Sequence, residues 1–117
     1  MNDWNGKWTV IYNANKDTGR YAAKVIEGFN LQTWPNRELV LVNSSDMDFG
    51  GYGYTEVNGT TIRDGIANAT GEYCLEVKEW QVLQHPNLLF NLSQQVGPKV
   101  RIRAIKNGFT VATGFFR

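Results

Sequence analysis

The sequence contains one histidine and one cysteine in 117 residues, and this scarcity excludes much of enzyme chemistry. His85 alone cannot supply a two-histidine phosphodiesterase site or a multi-histidine metal site within one chain. Because it precedes Pro86, His85 is interpreted as a loop residue. Cys74 cannot form an internal disulfide, which favours a reducing compartment. Its apolar neighbours predict a buried structural thiol rather than a nucleophile.

An excess of charge of one sign is also lacking, since 12 lysines and arginines offset 11 aspartates and glutamates. A formal net charge of +1 gives no electrostatic case for binding long nucleic acids or membranes. No stretch is apolar over the length of a transmembrane helix, and the first residues lack the pattern of a signal peptide. We therefore expect a single domain over residues 1–117 in the cytoplasm, which is the host cytoplasm if a phage encodes the chain.

A recognisable catalytic constellation is missing as well. No metal-binding motif completes the acidic pairs Asp46/Asp48 and Glu76/Glu79. The glycines of residues 50–53 lack the lysine and the hydroxyl side chain of a phosphate-binding loop. The sequence thus predicts a protein that is not an enzyme, with no catalytic residue, no cofactor and no metal.

The strongest local signal in the chain is Asn107-Gly108, which predicts a two-residue hairpin turn within residues 100–117. That turn fixes the register of three cross-strand pairs: Lys106 with Phe109, Arg103 with Ala112, and Arg101 with Gly114. Two arginines would then stand on one face beside small residues. Such an arrangement predicts a wall of a pocket for an anionic ligand, and a solvated outer face of the hairpin is the alternative.

The remaining patterns predict an α+β fold, with an antiparallel sheet and one or two helices packed on one face. An N-terminal meander of four strands is expected at residues 7–13, 20–26, 29–34 and 38–43. Apolar residues at helical spacing predict a helix from Thr60/Thr61 towards Trp80, although residues 74–80 could instead form a strand. Residues 87–95 are expected to form a short helix. Residues 43–59 have the composition of a loop, whose role stays open.

Aromatic residues make up 13% of the chain, with four tryptophans and five tyrosines, which is more than a core of this size needs. Some of these rings are therefore expected to stack on a ligand or to close a subunit interface, although core filling is the simpler role for any one of them. Guanidinium groups bind phosphate bidentately. Six residues are the candidate ligand-binding set: Arg63, Phe90, Asn91, Arg101, Arg103 and Phe115.

Three short segments, Thr61-Ile62-Arg63, Phe90-Asn91 and Arg101-Ile102-Arg103, together resemble the first family of Thoeris anti-defence proteins. These phage proteins act as sponges that sequester cyclic ADP-ribose isomers, and some members also hold cyclic trinucleotides. The resemblance implies a non-enzymatic homo-oligomer, with dimers assembled into hexamers and pockets between protomers. It further implies that Arg101 and Arg103 contact the pyrophosphate, that Phe90 stacks on adenine, and that Arg63 comes from the neighbouring subunit.

Two other functions fit the same composition. A small protein-interaction module, such as an inhibitor or immunity protein, would use exposed aromatic residues against its partner. An oligonucleotide-binding barrel would bind in a strongly salt-dependent way, and the near-zero net charge makes it the weaker alternative.

Overall fold

The computed structural model describes residues 4–50, 53–96 and 101–117, with the backbone alone of Arg101. Its centre is a six-stranded sheet in the order β3-β2-β1-β4-β6-β5. The strands are β1 Trp8–Ala14, β2 Arg37–Asn43, β3 Thr55–Asn58, β4 Tyr73–Val77, β5 Arg101–Lys106 and β6 Phe109–Phe116. The first four are mutually parallel, whereas β6 runs antiparallel to both β4 and β5.

In the described residues, three α-helices accompany the sheet: α1 Ala22–Asn30, α2 Ile62–Ala67 and α3 Leu88–Ser93. Short 3-10 segments at Gly19–Tyr21 and Trp80–Gln84 precede α1 and α3. No helix in the described part of the chain is long and apolar enough to cross a membrane.

Helices cover the sheet on both faces, and β1 shows why. Val10 and Tyr12 point into a core shared with α1, α3 and the 80–84 segment, while Ile11 points into a smaller core under α2. A strand buried on both faces cannot alternate apolar with polar residues, which accounts for its continuous apolar run. The strand expected at residues 38–43 is confirmed as β2, and its apolar run is likewise explained by burial on both faces.

The predicted N-terminal meander is wrong, because residues 20–26 lie in a 3-10 turn and α1 rather than in a strand. The alternation of Tyr21, Ala23 and Val25 suggested a strand, but Ala23 is exposed. The residues that α1 buries are Ala22, Val25, Gly28 and Phe29, which follow the spacing of one helix face. Parallel β1 and β2 require such a crossover between them. Residues 29–34, also predicted as a strand, form the end of α1 and the loop before β2.

The helix expected after Thr61 begins there but ends at Ala67. Asp64 and Thr61 form a reciprocal capping box at its start. Gly65 lets the helix lie close to the sheet, since a Cβ atom there would come within 2.6 Å of the Ile11 side chain. Residues 73–77 form β4, as the strand alternative for residues 74–80 anticipated.

Two further expectations have clear outcomes. The short helix within residues 87–95 is confirmed as α3. The loop expected over residues 43–59 contains an additional parallel strand, β3, which pairs with β2.

The predicted mixture of helices and strands in one chain is confirmed. The expectation of an antiparallel sheet with helices on one face is corrected to a mixed sheet with helices on both faces. The sheet is open, with β3 and β5 at its two edges, so the oligonucleotide-binding barrel is also wrong. The helical crossovers leave the carboxyl ends of β1 and β4 side by side at one edge of the parallel half.

Candidate ligand-binding sites

The C-terminal hairpin has the predicted turn. Asn107 and Gly108 both have positive φ, at 53° and 82°, as a type I′ turn requires. Lys106 pairs with Phe109 as predicted. The prediction of a hairpin with a two-residue turn at Asn107-Gly108 is therefore confirmed.

Beyond the turn the register differs from the prediction, because β6 contains one extra residue at Val111. The bulge shifts every later pair by one position. Arg103 therefore lies opposite Thr113, and Arg101 lies opposite Phe115. The predicted pairing of the arginines with Ala112 and Gly114 is wrong. Those small residues are buried on the other face, where a Cβ on Gly114 would come within 3.3 Å of the Trp8 ring.

The corrected register places Arg103 on the same sheet face as α2. We call this surface the arginine face and define it by five residues: Arg63, Glu76, Arg103, Thr113 and Phe115. Helix α2 packs on β1 and β2. A cavity of about 280 Å³ lies beside α2, bordered by Arg63, Glu76, Thr113 and Phe115. Two of the six candidate residues, Arg63 and Phe115, therefore line one cavity.

Neither Arg63 nor Arg103 makes a side-chain hydrogen bond or ion pair within the described part of the chain. The salt bridge described there joins Lys7 to Glu38 at 3.6 Å. Unpaired guanidinium groups on an exposed surface are ordinary, and they are also free to receive an anion.

A larger cavity lies on the opposite side of the sheet, between the 80–84 segment, α3 and the C-terminal hairpin. We call it the hairpin cavity. Its volume is about 480 Å³, within the range of small-molecule sites. Its apolar wall includes Val82, Leu88, Leu92 and Val111. Its polar rim includes Gln81, His85, Asn91, Arg103 and Lys106.

Gln81 is notable within this rim, because its buried Oε1 atom has no hydrogen-bond partner in the described residues. A buried carbonyl oxygen without a donor carries a desolvation cost that a bound molecule could relieve. Arg103 reaches this cavity because β5 is the edge strand, so the residue borders both faces of the sheet.

The six candidate residues do not form one site within a single chain. Asn91 and Arg103 border the hairpin cavity, whereas Arg63 and Phe115 lie across the sheet. Phe90 borders neither cavity, and its ring lies 6.3 Å from that of Trp34. The side chain of Arg101 lies outside the described structure.

Sequence reasoning missed a third concave region, at the carboxyl ends of β1 and β4. In doubly wound sheets this is the point where successive crossovers leave in opposite directions, and it is the usual location of a ligand crevice. The loop after β1 carries Asn15 and Thr18, and the turn after β4 carries Lys78 and Trp80. The sequence signal for this region is the presence of polar residues directly after an apolar strand. An antiparallel pairing of the first strands does not bring the carboxyl ends of β1 and β4 together, so the prediction misses the region.

No group of three or more potential metal ligands occurs in the ranges that the structure describes. Cys74 is fully buried, as predicted, and burial raises the pKa of its thiol to about 11. The residue is therefore a protonated thiol at neutral pH and a poor nucleophile. His85 is an exposed residue following the 80–84 segment.

Comparison of the chain with models of protein families, with characterised protein sequences and with solved structures yields no match. The resemblance to Thoeris anti-defence proteins therefore stays a prediction that rests on the three segments quoted above. The function has to be argued from the geometry of the cavities.

Proposed function

We propose that this protein binds and sequesters a small nucleotide-type signal, such as a cyclic ADP-ribose isomer or a cyclic di- or trinucleotide, without converting it. The observation that carries the proposal is the hairpin cavity, where Arg103, Lys106 and Asn91 meet an apolar wall in a space of about 480 Å³. Sites for small molecules combine a mostly apolar lining with a few convergent polar groups. The hairpin cavity has this composition.

Each part of such a ligand has a chemical counterpart in the cavity. The Arg103 guanidinium suits a phosphate or pyrophosphate oxygen pair, and Lys106, which borders the same cavity, adds a second cation against the carboxylate of Glu79. The apolar wall, which includes Leu88 and Leu92, suits the base and ribose carbons. The Asn91 amide can donate to and accept from a base edge.

In a homo-oligomer, the remaining candidate residues Arg63 and Phe115 could contribute to the pocket of a neighbouring subunit. Arg63 and Phe115 lie on the arginine face, on the far side of the sheet from the hairpin cavity. If a second copy presents its arginine face to the hairpin cavity, a neighbouring Arg63 completes the pocket, as the family resemblance implies. Strand β5 lies at the edge of the sheet and so is available for contact with another subunit.

Titration calorimetry with cyclic ADP-ribose isomers and cyclic dinucleotides tests the proposal. We expect saturable heat with at least one of them. Arg103→Gln is expected to weaken that binding about tenfold or more, because a charge-assisted hydrogen bond is lost. Lys16→Gln is the matched control, since Lys16 is exposed and borders none of the cavities described here. No heat with any of these ligands, or equal affinity for the Arg103→Gln variant, would contradict the proposal.

A protein-interaction module remains the second candidate function, because the tip of the hairpin exposes large apolar side chains. Phe109 is 73% exposed and Ile105 is 64% exposed. Exposed aromatic residues are typical anchors of protein interfaces. A partner that binds the wild type and Arg103→Gln equally but loses binding to Phe109→Ser would support this function over the first.

A further inference from the structure

Asn-Gly pairs occur three times in the chain, at Asn5-Gly6, Asn58-Gly59 and Asn107-Gly108. In such a pair the backbone nitrogen of the glycine can attack the side-chain amide carbon of the asparagine, because glycine has no Cβ atom to hinder the approach. By sequence alone, the three pairs are equally reactive. The fold places them in very different surroundings.

The Asn5-Gly6 pair is held in place by packed neighbours. Gly6 is buried, and its carbonyl oxygen accepts a hydrogen bond from the Trp34 indole at 3.0 Å. A Cβ atom on Gly6 would come within 2.6 Å of the Trp4 ring and of a Glu72 carboxylate oxygen. Little space is therefore left for the backbone rotation at Asn5 that the attack requires.

The Asn58-Gly59 pair is restrained in a second way. Asn58 is the last residue of β3, and the N–H of Gly59 donates to the carbonyl oxygen of Asn43 at 3.4 Å. A Cβ atom on Gly59 would collide with the side chain of Asp64, which caps α2. The nitrogen that would act as the nucleophile is therefore engaged in a hydrogen bond, and the backbone around it is crowded.

The Asn107-Gly108 pair has neither restraint. Both residues are exposed at the tip of the C-terminal hairpin, and a Cβ atom on Gly108 would meet nothing within 4 Å beyond its chain neighbours. Within the described residues, the N–H of Gly108 has no hydrogen-bond acceptor. One cross-strand pair, Lys106 with Phe109, closes the turn, so local opening of the tip disturbs little of the sheet.

From this comparison we propose that Asn107 is a site of spontaneous deamidation, with water as the co-reactant. The Gly108 nitrogen forms a bond to Cγ of Asn107, and the side-chain nitrogen leaves as ammonia together with the proton from the glycine N–H. The product is a five-membered imide, which water opens. Cleavage between the Gly108 nitrogen and Cγ leaves aspartate, whereas cleavage at the main-chain carbonyl of Asn107 leaves isoaspartate.

The two products change the hairpin differently. Both replace a neutral amide by a carboxylate next to Lys106, so the formal net charge falls from +1 to zero. Aspartate tolerates the positive φ of 53° at this position. Isoaspartate adds one atom to the backbone, so a two-residue turn no longer connects Lys106 to Phe109 in register. Deamidation requires no ligand and therefore occurs or fails independently of the proposed function.

The test is to age the full chain in mildly alkaline buffer made with oxygen-18-labelled water, and then to map its peptides by mass spectrometry after digestion in ordinary water. We expect Asn107 to lose its amide at least about tenfold faster than Asn5 and Asn58, because the restraints at those sites raise the barrier. Each modified peptide should contain one heavy oxygen atom. The control is the same chain unfolded in urea, in which the three sites should react at similar rates.

Asn107→Asp provides the matched reference protein, since it carries the new charge on an unaltered backbone. It should elute from an ion exchanger with the aspartate product and unfold at the same temperature as the wild type. The isoaspartate fraction should unfold at a lower temperature, and equal temperatures would contradict the effect on the turn. Equal rates at Asn107 and Asn58 in the folded chain would overturn the proposal. So would a slowing of Asn107 on folding as large as that of Asn58.

Discussion

Polar groups at the amino ends of the parallel strands are hydrogen-bonded to one another, whereas some at the carboxyl ends have no partner in the described part of the chain. At the amino ends, Glu38 Oε1 accepts hydrogen bonds from the Thr9 hydroxyl at 2.6 Å and from the backbone and side chain of Thr70 at 2.6 and 2.7 Å. Lys7 completes the cluster by donating to the Thr70 hydroxyl at 2.7 Å. At the carboxyl ends, buried acceptors on Asn13 and Gln81 are left without partners beside open cavities.

This contrast predicts opposite effects on stability. A satisfied hydrogen-bond network around the buried Thr9 stabilises the fold and is costly to break. A buried acceptor without a partner carries a desolvation cost instead. We therefore expect substitutions that break the network at the amino ends to lower the free energy of unfolding, whereas apolar replacement of an unsatisfied acceptor at the carboxyl ends should leave that free energy unchanged or raise it.

The largest effect on stability should come from Thr9→Val. Thr9 is fully buried, donates to Glu38 and accepts from the backbone N–H of Gly71 at 2.8 Å. Valine keeps the shape but leaves the Gly71 N–H without its acceptor, so we expect a loss of about 1–3 kcal/mol in the free energy of unfolding. Urea denaturation measures it. A change no larger than that of an exposed Thr33→Val control would contradict a stabilising role for the network at the amino ends.

The second effect is a pH dependence of stability that arises from the carboxyl group of Glu38. Burial acts to raise the pKa of this carboxyl, but the hydrogen bonds from Thr9 and Thr70 and the nearby Lys7 outweigh it and hold the pKa below its usual 4.5. A carboxyl whose pKa is lowered by folding stabilises the protein above its unfolded pKa, and this contribution is lost as pH falls through the folded value. The gap in urea midpoint between the wild type and Glu38→Gln should therefore be full at neutral pH and shrink below about pH 4.5.

In that comparison, Glu27→Gln is the control, because Glu27 is an exposed carboxylate on α1. Its midpoint should follow that of the wild type across the same range. A gap for Glu38→Gln that stays constant as the pH falls would show that the carboxylate charge has no part in the cluster.

The smallest effect on stability is expected from Gln81→Leu. The substitution removes a buried carbonyl that has no partner, so the free energy of unfolding should change by no more than about 0.5 kcal/mol or should increase. Thermal unfolding monitored by circular dichroism measures it. A loss as large as that of Thr9→Val would mean that Gln81 supports the fold, and the contrast between the two ends would fail.

The sequence carries the local features of this fold well. Asn107 and Gly108 readily adopt the positive φ angles that a type I′ turn requires. The apolar run of β2 indicates burial on both faces. The capped start of α2 at Thr61 is equally local. Each of these features is decided within a few residues of chain, which is why pattern reasoning finds them.

Pairing between distant segments is where sequence reasoning fails. No local pattern indicates that β1 lies between β2 and β4, and the alternation of Tyr21, Ala23 and Val25 predicts a strand where the chain forms α1. The extra residue at Val111 likewise has no signature, yet it sets which residues share a face with Arg103. The candidate residues therefore divide between two faces that the predicted register had merged.

The most direct test of the central claim is to identify what the protein holds after exposure to a cyclic ADP-ribose isomer. The chain is incubated with the ligand, separated from the free excess by gel filtration and heat-denatured, and the released molecule is identified by mass spectrometry. Sequestration in the hairpin cavity predicts recovery of the intact cyclic molecule from the wild type and a strongly reduced yield from Arg103→Gln. Recovery of linear ADP-ribose, or of no ligand from the wild type, would contradict it.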